Sequence, residues 1–95
     1  MIRHVVLWEL HDPARAHEFA DLLRSCAGIV PGMLGFEVGT RDAALAASAD
    51  VCLIASFADV EDLRAYERHE LHRAVSQRLA PLRKGRHVAD YVTDP

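Results

Sequence analysis

The chain has 95 residues, a formal charge of -3 and a hydrophobic share of 51%, which bounds it to one domain, residues 1–95, since compact domains run to about 100–150 residues. Acidic and basic residues are interleaved and the isoelectric point is near 6.0, so no basic stripe is offered to phosphates and nucleic acid is not an expected partner. No stretch approaches the ~20 apolar residues of a membrane span, Arg3, His4 and Glu9 interrupt the apolar run an export signal needs, and Cys26 and Cys52 lack CxxC spacing, so a cytoplasmic protein with reduced thiols is expected.

Residues Ile2 to Leu10 alternate, with Ile2, His4, Val6, Trp8 and Leu10 on one face and Arg3, Val5, Leu7 and Glu9 on the other, which predicts a first strand with apolar residues on both sides. Asp12 followed by Pro13 is a helix start, and Phe19, Ala20, Leu23, Cys26, Ala27 and Val30 continue at helical spacing until Gly28 and Pro31-Gly32 supply a turn. Met33 to Thr40 predicts a second strand with Leu34, Phe36 and Val38 on one face. Arg41 to Asp50 has no pattern and reads as an exposed connection. Val51 to Phe57, apolar on both faces, predicts a central third strand.

Asp59 caps a second helix whose first turn carries Glu61 and Asp62, with Val60, Leu63 and Tyr66 inward. An irregularity is expected around His69-Glu70, after which Leu71, His72, Val75 and Leu79 resume the stripe. Arg86 to Thr93 predicts the last strand, Val88 and Val92 flanking Asp90 on one side. The order β-α-β-β-α-β predicts an α+β, ferredoxin-like fold: a four-stranded antiparallel sheet with both helices on one face. The other face, with Val5 and Leu7, would be an apolar patch, so a homodimer joined through it is expected, as a dimeric α/β barrel.

Six histidines are present. His11, His17 and His87 read as surface residues. His4 and His72 share the layer between sheet and helices, and Tyr66, His69 and His72 follow at three-residue spacing. Imidazole beside phenol in a dry pocket is an acid-base pair, because histidine titrates near neutrality and tyrosine donates to a developing oxyanion. The same spacing admits two other readings: core histidines satisfied by neighbours, or a three-histidine metal site, which lacks a Cys, Asp or Glu at matching spacing. No metal and no cofactor is assigned.

The stretches His4-Val5-Val6-Leu7-Trp8, Phe57-Ala58-Asp59 ahead of Leu63 and Tyr66, His69-x-x-His72 and Asp90-Tyr91 resemble the stress-responsive dimeric A/B barrel (Dabb) family over nearly the whole chain. By that resemblance, to olivetolic acid cyclase among its members, His72 would be the catalytic base, Tyr66 its partner and His4 the pocket histidine of the first strand. The implied reaction is proton abstraction and aldol closure of a β-ketoacyl or polyketide-like substrate, with Trp8, Leu23, His69 and Phe57 assigned to substrate binding. Its partners would be a second copy and a small hydrophobic molecule, and the alternative is a non-catalytic ligand-binding or stress-response module. Leu23 falls where the cyclase has a further pocket tyrosine, and Glu70 stands where the usual His-Pro-x-His has proline, which lifts the covalent reason for a break before His72.

Overall fold

The alternation of strand β1 (Ile2–Leu10) sorts its side chains as expected: Ile2, His4, Val6, Trp8 and Leu10 are buried, and the intervening residues are half-buried or exposed. In the computed structural model, which describes residues 1–94, β1 lies inside a four-stranded sheet of order β2-β3-β1-β4 with every neighbouring pair antiparallel. The other strands are β2 (Met33–Thr40), β3 (Val51–Phe57) and β4 (Arg83–Val92), and the helices are α1 (Ala16–Arg24), α2 (Val60–Arg68) and α3 (Glu70–Leu79). Register places Val6 opposite Leu53 and Trp8 opposite Val51, so the buried residues of the central strands form one continuous face.

That face is roofed by the helices. Phe19 and Leu23 of α1, Leu63 and Tyr66 of α2, and Val75 and Leu79 of α3 join it in a single core, each such burial being worth ~1.5–3 kcal/mol. Asp12 accepts a hydrogen bond from the Ala14 amide at 3.0 Å and caps a short 3-10 turn, Pro13–Arg15, that leads into α1. The helix stops at Arg24, earlier than the stripe predicted. The chain then turns through Gly28 at φ 74, a conformation that favours glycine. Cys26 and Val30 are buried from this turn, while Ala27 is exposed.

Three expectations need correction. Leu34 is 61% exposed, because a bulge between Met33 and Gly35 shifts the phase of β2 and turns Met33, Phe36 and Val38 inward instead. Val60 and Leu71 are exposed, each sitting at the first turn of its helix, where the stripe has not yet reached the sheet. Strand β4 begins at Arg83 rather than Arg86, since Arg83 still pairs with Leu10.

The connection between β2 and β3 is exposed up to Ser48, but its last residue, Asp50, is buried. Its carboxylate accepts from the Leu10 amide at 2.8 Å and its own amide donates to the Trp8 carbonyl at 2.8 Å, which continues the β1 pairing beyond the register of β3. On the sheet face away from the helices, Val5, Leu7, Cys52, Ile54, Ala89 and Tyr91 come together. Leu7, Ile54 and Tyr91 remain 37–45% exposed there.

Candidate active site

Tyr66 is the centre of the site. Its ring is 1% exposed and packs 5.2 Å from Phe57 and 6.4 Å from Phe36, centre to centre, while His72 approaches at 4.5 Å and His4 at 6.3 Å. Two phenyl rings and the His4 imidazole thus approach the phenol from the sheet, and the His72 imidazole approaches it from α3. His4, Tyr66 and His72 line one cavity of about 150 Å³ between the sheet and α3, with Trp8 and Leu23 also in its walls. Phe57 is fully buried behind Tyr66, so it fixes that ring rather than touching the cavity.

His69 does not reach the cavity. The helix breaks there, at φ -60 and ψ 137, and the His69 Nδ1 accepts from the Leu71 amide at 3.1 Å, capping α3. The break expected from the His69-Glu70 irregularity is therefore present without a proline. Since His69 is committed to the cap, the three histidines do not converge, and among the described residues no group of three or more His, Cys, Asp or Glu is placed to hold a metal ion.

The break orients His72. Its Nδ1 lies 3.2 Å from the Glu67 carbonyl oxygen, one of the carbonyls that the end of α2 leaves without an intrahelical donor. A carbonyl only accepts, so Nδ1 carries the hydrogen and Nε2 keeps its lone pair. Burial lowers the His72 pKa from its ordinary value, with smaller downward contributions from His4 and Arg86 and upward ones from Glu67. The ring is a free base at neutral pH. Burial pushes the Tyr66 phenol in the opposite sense, well above its ordinary range, so it stays protonated and able to donate. Cys26 also lines the cavity, but burial raises its thiol pKa, so it is not a thiolate nucleophile at neutral pH.

Sequence reasoning missed the partner of His4. The Nδ1 of His4 lies 2.5 Å from Asp90 Oδ1, an ion pair or hydrogen bond spanning the first and last strands, which the register places directly opposite each other. Asp90 shares its strand face with Val88 and Val92, which are exposed, so nothing local marked it as the partner of a buried histidine. Arg83 and Arg86, which line the cavity beside His72 and Ser76, were missed as well.

The model of the stress responsive A/B barrel domain, Dabb, matches residues 2–93. The chain is a member of the Dabb family. No curated protein matches it. Solved structures similar to this Dabb chain include a dimeric ferredoxin-like protein of unknown function from Thermobifida fusca, 23% identical, covering 97% of this chain and 90% of that one at a TM-score of 0.86. A Dabb family protein with a ferredoxin-like fold from Mesorhizobium loti is 23% identical, with coverage of 99% and 97% and a TM-score of 0.78. A structure described as "Putative antibiotic biosynthesis monooxygenase from Nitrosomonas europaea" is 13% identical, with coverage of 98% of both chains and a TM-score of 0.82. These likenesses bear on the fold, which is the ferredoxin-like Dabb fold. No helix is long and apolar enough to cross a membrane among the described residues.

Proposed function

We propose that this Dabb chain is a small-molecule enzyme that uses His72 and Tyr66 as a cofactor-free acid-base pair on a β-ketoacyl or polyketide-like substrate. The observation that carries the reading is the 4.5 Å approach of a neutral imidazole to a protonated phenol at the wall of a cavity. His72 Nε2 takes the proton from a carbon between two carbonyls, and the Tyr66 hydroxyl donates to the enolate oxygen that forms. The carbanion attacks a ketone carbon further along the same substrate, forming a carbon-carbon bond. The resulting alkoxide recovers the proton from the imidazolium, so the pair ends as it began. His4, held by Asp90, closes the cavity beside the phenol and orients the second carbonyl.

The same reading places the protein in a homodimer. The T. fusca structure is described as dimeric, and the apolar patch around Leu7, Ile54 and Tyr91 matches the kind of surface that an isologous pair covers, ~800 Å² per partner in a standard interface. Sedimentation at micromolar concentration is expected to show a dimer, and Ile54→Asp to shift it towards the protomer. A folded protomer of the unsubstituted chain would refute the pairing.

Turnover is tested with a tetraketide thioester, in which the carbon next to the thioester and the distal ketone close a six-membered ring, following cyclised product by chromatography and mass spectrometry. His72→Ala is expected to lower the rate ~10²–10⁴-fold, the usual span for a lost general base, with the circular dichroism spectrum unchanged. A rate unaffected by the substitution removes His72 from the chemistry. A second reading, a ligand-binding module without turnover, is supported by the size of the cavity: about 150 Å³ is below the ~300–1,000 Å³ of typical ligand pockets. Ligand binding with no product from any thioester tested would favour it.

A further inference from the structure

Residues at odd spacing on a regular strand point to opposite faces. Arg83 and Arg86, three apart in β4, nevertheless both line the cavity on the helix side. The cause is in the register. Arg86 is opposite Trp8 and Gly85 opposite Glu9, but Leu10 is opposite Arg83, so Lys84 is an extra residue in the ladder and the pairing shifts between Glu9 and Leu10. Such bulges re-aim side chains. Here the bulge brings a second guanidinium to the side that already holds Arg86.

Neither arginine is neutralised. Among the described residues neither forms a salt bridge. The carboxylates nearest in the ladder are engaged elsewhere: Asp90 with His4, and Glu9 with Lys84 at 3.9 Å. Both guanidiniums belong to exposed residues and so border the entrance, whereas the inner wall is apolar, formed by Val6, Leu53, Val75 and Leu79. The cavity thus has one cationic and one apolar end. A volume of about 150 Å³ holds roughly one aromatic ring, by comparison with dry cavities of that size that bind benzene.

We propose that the arginines aligned by the β4 bulge, Arg83 and Arg86, form a carboxylate-binding site at the cavity mouth, selecting a ring-sized carboxylate as the ligand or product of the site. The inference rests on the small-molecule reading above and names its ligand class. The planar forks of guanidinium match the two oxygens of a carboxylate, and the ring carrying it reaches inward to Tyr66 and His72. A ring closed from a linear β-ketoacyl thioester has this shape once water has cleaved the acyl–sulfur bond, releasing the thiol and leaving the carboxylate on the ring.

Trp8 is the only tryptophan and lines the cavity, so its emission reports occupancy. The probes are benzoate and its neutral counterpart benzamide. Benzoate is expected to bind ~10-fold or more tightly than benzamide, the ratio that charge-assisted hydrogen bonds supply. Arg83→Gln and Arg86→Gln are each expected to weaken benzoate by about that factor while leaving benzamide within about two-fold, with melting curves confirming that both variants fold. Equal affinity for the two probes, or benzoate binding indifferent to both substitutions, would overturn the carboxylate site while leaving a neutral-ligand pocket standing. No response to either probe would overturn the site and the small-molecule reading together. Arginine-dependent benzoate binding in a protein whose turnover ignores His72→Ala would preserve this site and remove only the acid-base mechanism.

Discussion

Tyr66 closes one helix and His72 opens the next, and their rings meet at 4.5 Å only because the chain leaves helical geometry at His69 between them. In a continuous helix, residues six apart lie about 120°, a third of a turn, away from one another around the axis. The extended backbone at His69, φ -60 and ψ 137, is also the conformation preferred before proline, and Glu70 occupies the first helical position, where the amide has no intrahelical acceptor. Glu70→Pro is therefore expected to leave the site intact and to raise stability by ~0.4–1 kcal/mol through the unfolded chain. His69→Ala, which removes the cap on the Leu71 amide, should cost ~1 kcal/mol. Urea denaturation of the two variants checks both signs, and a strongly destabilised Glu70→Pro would show that the break has a different geometry.

The burial that keeps His72 neutral also makes stability depend on pH. An unfolded chain binds a proton at this residue near pH 6.5, and the folded protein, with the pKa lowered chiefly by desolvation, binds it only at lower pH. Between those two values the unfolded state holds more protons, so stability falls as pH falls through about 6.5 and this contribution levels off below the folded pKa. Unfolding curves between pH 7.5 and 5 should show a steeper loss for the wild type than for His72→Gln. The acid limb of kcat/KM is expected below pH 6.5, because the free base survives to lower pH than in an ordinary histidine. Parallel pH slopes for the two proteins would mean that His72 titrates as an exposed residue.

Local patterns carried most of the fold. The alternation in Ile2–Leu10 and Val51–Phe57 and the Asp12-Pro13 and Asp59 caps appear where the residues indicated, and the apolar stripes of α1 to α3 do so except at Ala27, Val60 and Leu71. What failed was phase. Leu34 and Arg83 each sit beside a bulge, where one extra residue reverses the parity on which strand faces are assigned, and nothing local announces the insertion. Tyr66, His72 and His4 were legible as a group because each falls on an apolar stripe or strand face turned to the same layer, although the approach of Tyr66 to His72 depends on the break at His69. The Asp90 partner of His4 depends on pairing across 86 residues of sequence, which spacing does not encode.

Asp50 ties the site to the rest of the sheet. Its buried carboxylate accepts from the Leu10 amide while its amide donates to the Trp8 carbonyl, fixing the end of β1 from which Trp8 reaches the cavity. Asp50→Ala leaves the Leu10 amide buried without its acceptor, at an expected cost of ~1–3 kcal/mol. The change should also red-shift Trp8 emission by admitting water to that end of the core. A stability and emission spectrum like those of the unsubstituted protein would mean that solvent reaches the Leu10 amide.

His4 is buried and Asp90 is 42% exposed in its side chain, so the two ends of their bond differ in what removal costs. Asp90→Ala strands a ring nitrogen in the core, for which ~1–3 kcal/mol is expected, whereas His4→Leu removes the buried polar group itself and leaves a carboxylate that water can solvate. The double variant should therefore be little worse than His4→Leu alone. If the aspartate acts by fixing the imidazole, Asp90→Asn should change the His4 nitrogen chemical shifts and lower turnover more than it lowers stability. Additive stability losses in the His4→Leu, Asp90→Ala cycle would show that the two residues act independently, and the orientation of the cavity's second imidazole would then have to come from its packing against Tyr66 alone.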